Sequence, residues 1–281
     1  MFRIRPATAK EVEYYSTVLY PVQNEILNAV GRKFGSAFYL TGGTALSRFY
    51  FHHRLSEDLD LFTAEENIKA ALPVIVGEIE NLGYPVEVER STVSFGRLYV
   101  QVDRRCKLKI DLAADRPLKN PRKVENFYLD TLKNIAVNKI VAFEDRAELK
   151  DLVDLYFIVK EGKVELDEIL DLADEKRVPV PYEELLAVNT LGLTGSVFML
   201  KEISEEDLKE FLEDLRETLE ENVKKKLSET DPEEIVKELL WDLPYEERKL
   251  SPHTLPLLKR RMKRLGFIKR ERLKRIIDRT T

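Results

Sequence analysis

Two aspartates two residues apart, Asp58 and Asp60, are the first side chains in this sequence whose spacing points to chemistry. They flank and enter an apolar run, residues 59–62, that reads as a strand. Residues i and i+2 of a strand point to one face, so the two carboxylates are held side by side. Such a pair repels itself, and a divalent cation removes the repulsion. Mg²⁺ suits it, because that ion takes one or two protein carboxylates and completes its shell with water and phosphate oxygens. Upstream, Thr41-Gly42-Gly43-Thr44 ends a short apolar strand at residues 37–40. It opens a segment with helical apolar spacing at Leu46, Phe49 and Tyr50. Paired glycines admit unusual φ values and close backbone approach. A helix N-terminus presents N–H groups to phosphate. The pattern therefore sets metal-holding carboxylates beside a phosphate-holding turn.

A later strand adds a third acid. In residues 107–113, Lys107, Lys109 and Asp111 share one face, while Leu108, Ile110 and Leu112 take the other. Farther on, Lys139 has Ile135 four residues before it and Phe143 four after it. A lysine along an apolar stripe must snorkel to water or meet an anion, and a triphosphate would serve.

The ordered string Gly42, Gly43, Thr44, His53, Arg54, Ser56, Asp58 and Asp60 resembles the AbiEii/AbiGii toxin family of nucleotidyltransferases, relatives of DNA polymerase β. Residues 128–160 resemble the family's second signature: Lys139 on a helix, then Arg146, then Lys150-Asp151-Leu152-Val153-Asp154-Leu155-Tyr156. The resemblance covers about residues 37–160. It implies transfer of a nucleoside monophosphate from an NTP to an acceptor hydroxyl, with release of pyrophosphate. By the same resemblance Asp58 and Asp60 hold Mg²⁺, and Gly42, Gly43, Thr44 and Ser56 lie around the phosphates. Lys139 and Arg54 oppose phosphate charge, and Asp111 or Asp154 positions the acceptor. Arg146, Lys150 and Asp151 fall on the nucleotide-binding helix, and His53 packs beside Arg54. A toxin of a type IV-like toxin–antitoxin or phage-defence pair is implied, with a separately encoded antitoxin as partner. Some relatives modify the tRNA 3′ end. A small-molecule nucleotidyltransferase of the antibiotic-modifying kind and a non-catalytic NTP-binding regulator stand as alternatives.

The elements that must position these residues are partly legible. Thr8 and Glu11 form a capping-box pattern for a helix to about residue 33, broken near Tyr20-Pro21. A second helix is expected over residues 65–82, interrupted by Pro73. Alternation and β-branched content predict strands at 86–90, 93–102 and 108–112, for a sheet of about five strands. Residues 116–126, with two prolines and several basic residues, read as a linker between a core at 1–115 and a helical C-terminal lobe at 127–281. The fold class expected is α+β: a polymerase β-like sheet packed on helices, with a helical lobe that contributes Lys139 and Asp154. On one straight helix those two residues would stand ~22 Å apart. A helix ending near Phe143 and another starting near Asp145 would bring them together. Amphipathic helices are expected at 165–175, 182–191, 205–227 and 232–241.

Composition bounds the rest. The 281 residues are 43% hydrophobic and 35% charged, with net charge −5. The charged fraction points to a thermophilic source. A single cysteine, Cys106, excludes an internal disulfide framework, and with three histidines it makes no zinc site of the usual spacing. No apolar signal core and no spanning segment stand out, which points to a cytoplasmic protein. Charge is uneven: residues 202–221 hold ten acids, and residues 257–281 hold eleven Lys and Arg. That basic tail suits a nucleic-acid partner or, equally, a solvated helix face.

Overall fold

The computed structural model describes residues 3–64, 67–142, 148–188 and 193–280. Strand β1 is Arg3–Pro6. Helix α1, Ala9–Tyr14, starts on the expected capping box: Thr8 and Glu11 exchange side-chain and backbone hydrogen bonds. A π-helical turn, Tyr15–Leu19, leads into α2, Tyr20–Phe34. The break expected at Pro21 does not occur. Proline lacks an N–H and crowds the carbonyl four residues back. The wider π turn just before it absorbs that ring while the helix runs on.

The site-bearing elements follow in order. They are β2, Tyr39–Thr41; α3, Gly42–Ala45, prolonged by a π turn, Leu46–Tyr50; β3, Leu59–Thr63; and α4, Ile68–Asn81. Pro73 lies inside α4 without interrupting it. Pro73 and Lys69, whose carbonyl loses its partner, both face solvent, so water can take that bond. Strands β4, Val86–Ser91, β5, Phe95–Gln101, and β6, Lys107–Ala114, form an antiparallel meander. Then come β7, Arg122–Val124, and β8, Phe127–Leu129.

One sheet gathers seven strands in the order β4-β5-β6-β3-β2-β8-β7, two more than expected. The surplus comes from residues 116–129. The stretch read as a linker holds β7, and β8 joins the sheet beside β2 through Leu129 and Leu40. Three-residue strands among prolines and lysines leave too little alternation to detect. One face of the sheet is apolar: Leu59, Leu61, Leu98, Val100, Leu108, Ile110 and Leu112 are buried. Alpha-helix α4 covers that face with Ile68, Leu72, Ile75 and Ile79. The other face carries Asp60, Arg97, Lys109 and Asp111.

The C-terminal part is mainly helical. It comprises α5, Leu132–Val141; α6, Leu149–Lys160; α7, Leu166–Lys176; and α8, Tyr182–Ala187. Strand β9, Ser196–Met199, follows, then α9, Glu205–Glu229, and α10, Pro232–Leu239. Helices α11, Leu255–Arg261, and α12, Phe267–Thr280, complete it. Strand β9 is unexpected within this mostly helical part: it pairs in parallel with β1 and makes a separate two-stranded sheet. Helices α10 to α12 enclose a small core of their own around Ile235, Leu240, Leu258 and Leu273. Among the described residues no helix is long and apolar enough to cross a membrane.

Candidate active site

The two glycines are where they are because nothing larger fits. In the β2–β3 pair, Thr41 is level with Asp60, which brings Gly42 against the second aspartate. Gly42 has φ 68°, and a Cβ there would lie 2.2 Å from Asp60 Oδ2. A Cβ on Gly43 would lie 2.2 Å from Arg54 Nη2. Both positions need bare backbone. Thr44 is buried; its hydroxyl lies 2.8 Å from Ser56 Oγ and donates to the Asp58 carbonyl. Thr44, expected among the phosphate-binding residues, therefore ties the glycine turn to the aspartate strand and is not among the residues lining the cavity. Ser56 lines the cavity beside it.

Parallel pairing of β3 with β6 sets Asp60 level with Asp111. Asp58, Asp60 and Asp111 thus share one edge of a cavity of about 260 Å³. Two cations already answer these acids. Arg97, from β5, donates twice to Asp111, from Nε at 2.7 Å and from Nη2 at 2.9 Å. Lys109 Nζ is 2.8 Å from Asp58 Oδ2 and 3.9 Å from Asp111 Oδ2. Even so, burial and the Asp58 charge push the Asp60 carboxyl up to about 6. An all-oxygen donor set, an ammonium resting on it, and one acid still reluctant to ionise fit a hard divalent cation. Among the described residues no group of three or more His, Cys, Asp or Glu forms a cage for an ion. Mg²⁺ needs none, since water and substrate phosphates usually fill most of its shell.

Behind the glycine turn lies a second cluster. Helix α5 ends at Val141 and α6 begins at Leu149, so the two run as separate helices, as the distance argument required. The expected start near Asp145 and the expected phosphate ligand Arg146 lie outside the described residues; α6 starts four residues later than Asp145. Lys139 Nζ is 2.6 Å from both Asp151 Oδ1 and Asp154 Oδ2. Arg54 forks onto Asp154 at 2.7 and 2.8 Å. His53 Nε2 is 2.8 Å from the same carboxylate. Burial alone would push the Asp154 carboxyl up; the Arg54 and Lys139 charges reverse this and hold it well below the ordinary carboxylate range. Burial pushes the His53 imidazole down, against the pull of Asp154. Its Nε2 is the ring nitrogen that meets Asp154.

Asp154, 0% exposed, therefore has no path to an acceptor. It holds Arg54 and Lys139 in place, and those two line the cavity. The polar residues of α6 divide in the same way: Lys150 lines the cavity, while Asp151 and Asp154 are buried.

Several lining residues had no assigned role in the sequence. Lys109 was legible as a neighbour of Asp111 on one strand face. Tyr15, which donates to Glu57, comes from 42 residues upstream and gave no signal. Ser196, Val197 and Phe198 close the far wall from β9. Beta-strand β9 is fastened there by backbone bonds from Leu55 to Phe198 and from Leu200 to His53.

A glycine turn pressed against an Asp-x-Asp strand, on a mixed sheet with a third acid alongside, defines a polymerase β-like nucleotidyltransferase. Residues 25–238 match the family described as nucleotidyl transferase AbiEii toxin, type IV TA system, and the chain belongs to that family. Among solved structures it is similar to the Helicobacter pylori protein JHP933, with a TM-score of 0.51 at 19% identity over 76% of this chain and 92% of that one. It is also similar to MenT4, a nucleotidyltransferase toxin of Mycobacterium tuberculosis, with a TM-score of 0.44 at 16% identity over 72% and 81%. No curated protein sequence matches it.

Proposed function

We propose that this nucleotidyltransferase moves a nucleoside monophosphate from an NTP to a hydroxyl of RNA, the tRNA 3′ end being the acceptor favoured. The reading rests above all on the shared edge of Asp58, Asp60 and Asp111 facing Gly43, Arg54 and Lys139 across one cavity. Asp58 and Asp60 would hold Mg²⁺, which when bound supplies charge neutralisation at the phosphates. The chain's own residues do the remainder. The bare backbone at Gly42 and Gly43 lets Asp60 and Arg54 close in on the turn, and Gly43 lines the cavity where phosphate would lie. Arg54 and Lys139, fixed by Asp154, present positive charge where negative charge develops on the phosphates. Lys150, at the rim, has a flexible stem that can reach an incoming triphosphate.

In this reading Asp111 shapes the acid cluster, because Arg97 occupies both of its oxygens. The exposed cations of the C-terminal helices supply a phosphate-binding surface for RNA. Family membership supports a toxin role, with a cognate antitoxin protein as partner.

The test incubates the protein with each labelled NTP in turn, Mg²⁺ and total tRNA, then resolves the RNA. Label on tRNA from one or more NTPs, lost in Asp58→Asn, is expected. Label absent from RNA with every NTP, in preparations that do bind NTP, would overturn the RNA reading.

A further inference from the structure

Lys109 lines the cavity in contact with Asp58, and the transfer reaction as read above has no use for it. Its position follows from the strands. Leu59 pairs with Ile110, so the preceding residues, Asp58 and Lys109, lie alongside each other, as do Asp60 and Asp111. Lys109 and Asp111, two apart on β6, point to the same face. The ammonium thus bridges two carboxylates of the cluster, at 2.8 and 3.9 Å. Its side chain keeps 24% of its surface exposed.

We propose that Lys109 is a resident counter-ion that competes with the divalent cation for Asp58 and must leave when the ion enters. The proposal rests on the reading that Asp58 and Asp60 hold the metal. An ammonium 2.8 Å from Asp58 Oδ2 repels a divalent ion arriving at the same carboxylate. One of the two cations on the cluster must therefore yield, and their chemistry says which. Arg97 grips Asp111 with a planar two-point fork; Lys109 has a compact charge on a flexible stem, with water beside it. The consequence is a metal-free site that stays neutralised and folded but binds the bare ion weakly. A nucleotide's phosphates bring negative charge of their own, so ion and nucleotide enter better together than apart.

The test titrates Mn²⁺ into the full chain without nucleotide, reading free Mn²⁺ by electron paramagnetic resonance. Four proteins are compared: the parent, Lys109→Met, Lys107→Met and Asp58→Asn. Lys107 pairs with Glu87 at the exposed sheet edge, so its variant changes net charge equally without touching the cluster. Lys109→Met should bind Mn²⁺ about ten-fold more tightly than the parent. That is the size of a unit charge about 5–6 Å from a divalent ion in a water-like dielectric. Lys107→Met should bind as the parent does. Equal or weaker binding by Lys109→Met, with its melting curve unchanged, overturns the proposal. Parental binding by Asp58→Asn instead overturns the metal reading beneath it, and an absence of binding in all four removes both.

Discussion

At the scale of single residues, the acids and bases of this site carry opposite consequences for stability. Asp60 sits beside Asp58 with its carboxyl pushed up to about 6. The folded state therefore holds that proton more tightly than the unfolded chain does. The stability this gives is full below the unfolded value of 3.8 and is lost as pH rises through about 6. Asp60→Asn should remove this loss. Near neutral pH and without metal, the variant should be more stable than the parent by about 1–3 kcal/mol, while transfer activity disappears. Melting curves between pH 4.5 and 7.5 check both the sign and the window; a parent curve no steeper than the variant's would refute it. Lys139 behaves the other way. Its apolar flanks suggest that Met would be tolerated, but the structure pairs it with two buried carboxylates, Asp151 and Asp154. Removing one partner of a buried ion pair leaves charge uncompensated, typically at a cost of about 3–5 kcal/mol. Lys139→Met should be destabilised on that scale in denaturant titration. Adding Asp151→Asn should recover part of the loss, and two independent, additive losses would show that the pair is not coupled.

At the scale of elements, the same contrast explains what was legible in the sequence. The Gly-Gly turn, the Asp-x-Asp strand and the split between α5 and α6 could all be read, because each rests on local spacing or on a length that geometry forbids. Long-range burial could not be read. Nothing local distinguishes Asp154, buried beneath the cavity, from Lys150, four residues earlier and lining it. Nor does anything announce that a four-residue strand after Gly195 crosses back to pair with the N-terminal strand and wall the cavity. Short strands such as β7, β8 and β9 gain their stability from partners far along the chain, so their own residues carry little pattern. The turn itself yields a prediction. Gly42→Ala places a Cβ at φ 68° and against Asp60. The backbone conformation alone costs ~1–2 kcal/mol, and Asp60 must also move. The variant should fold with that deficit and lose transfer activity as fully as Asp60→Asn does. Activity near the parent's would show that Asp60 can shift without consequence.

At the scale of the whole molecule, the family match ends at residue 238, and the basic helices lie beyond it. These helices share a small core with α10, and α12 also packs Phe267 and Ile268 against the main one. The structure divides the cations in two. Arg261 forks onto Asp242 and donates to the Leu239 carbonyl. Lys269 pairs with Glu238, Arg270 with Glu183 and Lys274 with Glu271. These belong to the fold. Lys259, Arg260, Lys263 and Arg264 stand exposed on α11 and the turn that follows. The two pairs at i and i+4 make adjacent rows on one surface. Four phosphate contacts there would give a salt slope of about three units in log affinity against log salt. Reversing all four to Glu should therefore weaken tRNA binding and flatten its salt dependence by about that amount. NTP binding and the melting temperature should hold, because none of the four is buried. Reversing Arg261 alone should instead lower the melting temperature through loss of its ties to Asp242 and Leu239. Fluorescence anisotropy with labelled tRNA across a salt series measures the slope. An unchanged slope in the four-site variant would make this surface a solvated helix face and leave RNA, if it binds, to be held by the catalytic part.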